Sequence, residues 1–219
     1  SLLDMNNELT KALECLKQAR TYFLEQINIK RILLSSGAIA NIYRRLGFYE
    51  DAIHLTELCI PHMKVFDLKG NILVAYNNIT WSYLLMKDYD ASVRYAYQTL
   101  ELAQYDVKSY FFLAYAYAHK NDDKKARDII RLAKQYAKQY GTTSYMKAMV
   151  SAYHTILSDQ KPLDTKVKKL KQVLAEKEAK VDLEARIFLL ELMIELLEPS
   201  KRKKELDQYC KELSECFRK

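Results

Sequence analysis

Apolar residues recur along most of this chain at the spacing of one helix face, and small residues interrupt them at regular places. From Ala38, the segment AIANIYRRLGFYEDAIHLTELCI sets Ile39, Ala40, Tyr43 and Leu46 on one side of a helix. Gly47 then ends it, because glycine enters the left-handed conformation that closes a helix at little cost. Tyr49, Ala52, Ile53, Thr56 and Cys59 form the inner face of a second helix. Ala40, Ala52 and Cys59 let the two backbones approach, and the Tyr43 ring is expected to fill the space between them. The segment reads as a helical hairpin.

The hairpin repeats. Ala52 has counterparts 40 residues earlier at Ala12, 40 later at Ser92 and a further 34 on at Ala126. Tyr43, Tyr83 and Tyr117 each stand nine positions ahead of the small residue. A period of 34 to 40 residues with helix–turn–helix content is the pattern of a helical solenoid, in which each pair buries its apolar face against the next. Helix pairs are expected at about 29–46 with 49–66, 69–87 with 89–104, and 106–120 with 122–140. The first helix, 4–26, carries Leu9, Ala12, Leu13, Leu16, Ala19 and Phe23 and matches the second member of a pair. The chain is therefore expected to open mid-repeat, with a longer protein upstream.

After Gly141 the pattern loosens. Residues 142–158 make a first helix with Met146, Met149 and Tyr153 inward, and SDQKP breaks it. Asp164 or Thr165 is expected to start a helix reaching about 178, and a last pair follows at 180–197 and 200–217. Leu189, Leu190, Leu192, Met193, Leu196 and Leu197 make the first of that pair strongly apolar, either as ordinary core or as a face shared with a second copy in a homodimer. The whole of 1–219 is read as one all-α domain of about eleven helices: 1–27 a half repeat, 28–141 three clear repeats, 142–219 two degenerate pairs.

Composition agrees and narrows the function. Only 4 glycines and 3 prolines are present among 219 residues, little material for strand corners. The longest apolar run, Tyr110 to Ala118, falls short of the ~20 residues a bilayer demands, and no signal peptide is visible. Cys15, Cys59, Cys210 and Cys216 have no metal-ligand spacing and read as reduced thiols of a cytoplasmic protein. The net charge is +7, densest at 161–180 and in the KRKK run at 201–204. Val167, Leu170 and Leu174 thread the first of these runs, so its lysines read as a solvated face, though a basic surface also permits nucleic-acid contact. His54, His62, His119 and His154 sit in no HExxH motif, and no glycine-rich phosphate loop or nucleophile elbow is present. No enzymatic activity, metal or cofactor is expected.

Tyr43, Gly47, Tyr49, Ala52 and Cys59 resemble the tetratricopeptide repeat (TPR). So do Tyr76, Ile79, Tyr83, Tyr89 and Ser92, and then Tyr110, Leu113, Ala114, Tyr117, Ala126 and Ala133. Thr80 stands at a small position, Ser36 at an aromatic one, and no copy carries the closing proline. The resemblance covers about 5–140 and implies a right-handed superhelix. The 40-residue copies, and AIANIYRRLGFYEDAI in particular, are similar to the sensor domains of Gram-positive peptide-pheromone regulators, the Rap/NprR/PlcR/PrgX group. That resemblance implies a quorum-sensing type transcriptional regulator which binds an extended oligopeptide on its concave face. DNA would be bound only through a domain outside this chain. A general scaffold that binds a partner protein's tail is the alternative.

The first helix of each pair would line the concave side, with one stripe packing and one facing the groove. The groove stripes are Leu34, Gly37, Asn41, Arg44 and Arg45; then Val74, Asn77, Trp81 and Leu84; then Lys108, Phe111, Tyr115 and His119; then Lys147, Ser151 and His154. Asn41 and Asn77 offer donor and acceptor to a peptide backbone, and Trp81, Phe111 and Tyr115 offer rigid apolar area. Arg44, Arg45, Lys108 and Lys147 offer charge to a carboxylate. The alternative for Trp81 and Phe111 is plain core, because helix 110–118 is apolar all round.

Overall fold

The computed structural model of the chain describes residues 2–177, 179 and 183–217, and among them there are helices and turns but no strands. Its architecture begins at the turns. Ile27, Gly47, Asp67 and Lys87 follow one another at 20-residue intervals, and all four adopt positive φ, between 51° and 86°. Each is followed by an amide that reaches back to the carbonyl five residues earlier. Asn28 N–H donates to Phe23, Phe48 to Tyr43, Leu68 to Met63 and Asp88 to Tyr83, all at 2.9 Å. This is a Schellman closure, which satisfies carbonyls that a helix end would otherwise leave orphaned. Asn121, at φ 60°, makes the same closure through Asp122 and Tyr117.

Eleven helices result among the described residues: α1 Leu2–Glu25, α2 Ile29–Arg45, α3 Tyr49–Val65, α4 Lys69–Leu85, α5 Tyr89–Leu102, α6 Val107–His119, α7 Asp123–Gln139, α8 Ser144–Ile156, α9 Leu163–Leu174, α10 Leu183–Leu197 and α11 Lys203–Phe217. α2, α3 and α4 each have 17 residues, whereas α5 has 14 and α6 has 13, and this shortening accounts for the 34-residue step. Side-chain caps start several of them: Asn28, Asp88, Asp106, Asp122 and Thr143 each accept the backbone N–H three residues on. The expected start of α9 at Asp164 or Thr165 is displaced. Pro162 occupies the cap and Leu163 begins the helix, with no side-chain cap bond.

Neighbouring helices pack in consecutive pairs, and α2, α4, α6 and α8 also touch one another in series. The small positions do the work expected of them: Ala52, Ser92, Ala126 and Ala133 are buried. Hydroxyls at such places bond within their own helix, Thr80 to the Tyr76 carbonyl at 2.7 Å and Thr56 to that of Ala52 at 2.6 Å. Tyr43 packs against the cluster of Leu13, Ile39 and Ile42, together with Leu46 and Leu55. It is half-buried, edge-on to Phe48, with the Lys17 ammonium 5.5 Å over its ring.

The C-terminal pair joins the main core. Leu189, Leu190, Met193 and Leu197 of α10 are fully buried in one cluster with Phe111, Phe112, Leu113 and Tyr153. The apolar side chains that the sequence leaves open to a second copy are therefore used inside the chain. The KRKK run is partly neutralised. Arg202 pairs with Asp164 and Glu205, and Lys171 bonds the same Glu205 at 3.0 Å. No described helix is long and apolar enough to cross a membrane. All four cysteines are free, Cys59 and Cys216 buried and Cys15 and Cys210 exposed.

Candidate functional site

One residue from each expected groove stripe of α2, α4 and α6 meets α10: Arg44, Trp81 and Tyr115. Phe188, in the second turn of α10, sits in an aromatic cage. Its ring centroid lies 4.9 Å from Trp81, 4.9 Å from Tyr115 and 6.2 Å from Phe111, all at steep angles. Trp81 in turn stacks on Phe112 at 5.1 Å. Such pairs add a directional preference to the burial of large apolar surface. Burial drives the Tyr115 and Tyr153 phenols well above their usual range, with the Glu195 charge adding to it.

One turn before Phe188, Glu184 pairs with Arg44 across 140 residues of sequence. Both side chains are buried, and Arg44 Nη2 also donates to Asn41 Oδ1 at 2.8 Å. This pair ties α2 to α10 and closes the hollow at one end. Beside it lies a cavity of about 140 Å³, lined by Arg44, Trp81, Lys108, Phe111, Phe112, Met149 and Glu184 among others. Glu184 Oε1 is buried there with no hydrogen-bond partner among the described residues.

Of the expected groove residues, Arg44, Trp81, Lys108 and Phe111 share this cavity, and Asn41 joins it through Arg44. Tyr115 stands next to it against Phe188. Asn77 turns elsewhere. Its amide spans Asp106 Oδ2 at 3.5 Å and Ser109 Oγ at 3.4 Å, bracing the start of α6. Arg45 is half-buried; Lys147 is exposed, Ser151 and His154 are half-buried, and none of these four lines the cavity. Burial and the nearby Lys134 and Arg131 push the His154 imidazole below its usual value.

The same two stripes have a second, open end. Leu34 and Val74 are about half exposed and, with Gly37 and Asn78, border a cleft of about 50 Å³ between α2 and α4. From Leu34 to Arg44 is ten residues of helix, about 15 Å at 1.5 Å per residue. An extended chain covers that in about five residues.

The far end of α10 is acidic. Burial raises the Glu191 and Glu195 carboxyls, and Glu191 raises Glu195 further, against the opposing pull of Lys87. His119 stacks with Tyr89 at 5.0 Å and lies 3.8 Å from Glu195 Oε2, beyond hydrogen-bond range. Burial, and after it the Lys87 charge, push its pKa down.

Glu184 and Phe188 are the site residues that sequence reading misses. The available signal was a carboxylate inside LEARIFLLELMIELL, an otherwise apolar helix. Its partner, 140 residues away, leaves no local trace. Neither the models of known protein families nor the curated proteins yield a match to this chain.

Proposed function

We propose that this chain is the peptide-sensing domain of a bacterial regulator of the TPR type, acting in the cytoplasm. In this reading a short oligopeptide lies along α2 and α4 from the Leu34–Val74 cleft to the cavity at Arg44 and Trp81. The observation that carries it is the continuity of those two stripes. Exposed apolar residues lie at one end, and a part-filled aromatic cavity with buried charges lies at the other. Exposed aliphatic residues give contact area, the Asn41 and Asn78 amides offer backbone partners, and the Arg44–Glu184 closure is the element a guest would bias. The resemblance to pheromone-regulator repeats supports the biological setting, and a right-handed superhelix is the form it implies.

The test is calorimetry of the chain against short oligopeptides, beside Leu34→Asp and Val74→Asp. Both residues are half exposed, so the fold is expected to survive their replacement. Saturable binding that either variant weakens by tenfold or more, about 1.4 kcal/mol, supports the reading. Binding untouched by both variants removes the track. Binding only to a folded partner's tail favours the scaffold.

A further inference from the structure

The positive charge of this chain is gathered at one end. Residues 161–177 and 201–211 hold 11 lysines and arginines against 4 acids, an excess of seven that equals the +7 of the whole chain. The remainder, taken together, is balanced. The fold brings the two runs onto one face. Arg202 pairs with Asp164, and Lys171 donates to Glu205 at 3.0 Å, so α9 and α11 flank a groove of about 440 Å³ lined by Lys168, Lys171, Gln172 and Arg202 among others. Those contacts engage both acids of the groove, Asp164 and Glu205. Lys161, Lys168, Lys201, Lys203 and Lys204 remain exposed, and none of the five pairs with a carboxylate among the described residues.

The surroundings select the partner. Five uncompensated ammonium groups on one face repel one another, and a row of phosphates relieves that repulsion. Among the described residues from 141 to 217, no large apolar side chain is exposed. Stable adsorption to a membrane combines charge with inserted apolar groups, and protein interfaces are depleted of lysine and anchored on aromatic side chains. A nucleic-acid backbone needs neither, and lysine meets it as a point charge without reading bases. The 12 residues of α9 make about 18 Å of helix, the length of about five phosphate steps on one strand. We propose that the face formed by α9, α11 and the turn before each binds the phosphate backbone of duplex nucleic acid without regard to sequence. It shares no residue with the peptide track, so either reading can fail without the other.

The probe is a fluorescently labelled duplex of about 20 base pairs and mixed sequence, titrated with the full chain by anisotropy between about 50 and 200 mM salt. Five phosphate contacts predict a slope of log K against log salt of about −4.5, a loss of about 500-fold over that range. Lys201→Gln, Lys203→Gln and Lys204→Gln combined remove three contacts and are expected to bring the slope to about −2. The fold is expected to survive, because Arg202 and Lys171 keep their partners. Lys11→Gln, Lys30→Gln and Lys64→Gln combined, all exposed on α1 to α3, lower the net charge equally and are expected to leave the slope unchanged. Equal effects of the two triple variants would mean diffuse attraction to a basic protein and would overturn the inference. So would absence of binding at the lower salt, affinity that depends on base sequence, or binding to phosphatidylserine vesicles but not to the duplex.

Discussion

At the scale of single residues, the left-handed turn positions explain both what the sequence discloses and what it conceals. Gly47 announces its turn because glycine tolerates φ of 86° without cost. Ile27, Asp67 and Lys87 adopt the same conformation with ordinary side chains, so the strict 20-residue spacing of turns is invisible in composition. A β-branched residue there is a true outlier. Lys87→Gly and Ile27→Gly are therefore expected to stabilise the fold, each by about 1 kcal/mol, and Gly47→Ala to destabilise it by about the same, in urea denaturation. Asn77 shows the opposite limit: its type suits peptide binding, but its amide serves the start of α6. His119 carries a pH prediction. Its folded pKa is lowered, so the unfolded chain binds the extra proton first. Stability contributed by the neutral imidazole is present above about pH 6.5 and falls as pH drops towards the folded value. Glu191 and Glu195, whose pKa values are raised, oppose this. They favour the fold at low pH and lose that contribution as pH rises from about 4.5 through their folded values. Comparing melting temperatures at pH 7.5 and 5.5 isolates the histidine: His119→Gln is expected to gain on the parent chain at the lower pH. A constant difference across that range contradicts the assignment.

At the scale of elements, periodicity located nearly every helix but ended several too late. α4 stops at Leu85 rather than 87 and α6 at His119 rather than 120, because the closing left-handed residue follows the last helical turn. Helix α10 marks where pattern alone runs out. A helix apolar on every side is buried, yet its sequence does not say against what. Here Phe188 packs against Trp81 of α4 and Phe111 and Tyr115 of α6, and Leu189, Leu190 and Met193 join the core beside it. Phe188→Ala is expected to cost about 3–5 kcal/mol. Trp81 is the single tryptophan, so the same substitution is expected to shift its emission to the red. An unchanged emission maximum would mean that α10 does not cover Trp81.

At the scale of the whole molecule, helix pairs stacked in sequence order curve until the last pair meets the first. The repeat was legible because small and bulky residues recur at fixed steps. The closure was not, because Arg44 and Glu184 are ordinary surface types whose meeting depends on the summed bend of every pair between them. A solenoid closed in this way links its cavity to its global shape, and opening the Arg44–Glu184 contact is the change a bound guest would favour or oppose. The most direct measurement is a double-mutant cycle at 44 and 184, read by urea denaturation of Arg44→Met, Glu184→Leu and the pair. Arg44→Met removes the cation beside the buried Glu184 carboxylate and is expected to cost about 3–5 kcal/mol, Glu184→Leu removes the carboxylate beside Arg44 and is expected to cost less, and the double variant is expected to cost less than the sum by more than about 1 kcal/mol. Costs that add to within about 0.5 kcal/mol would show that α2 and α10 do not meet, and the closed hollow would be contradicted.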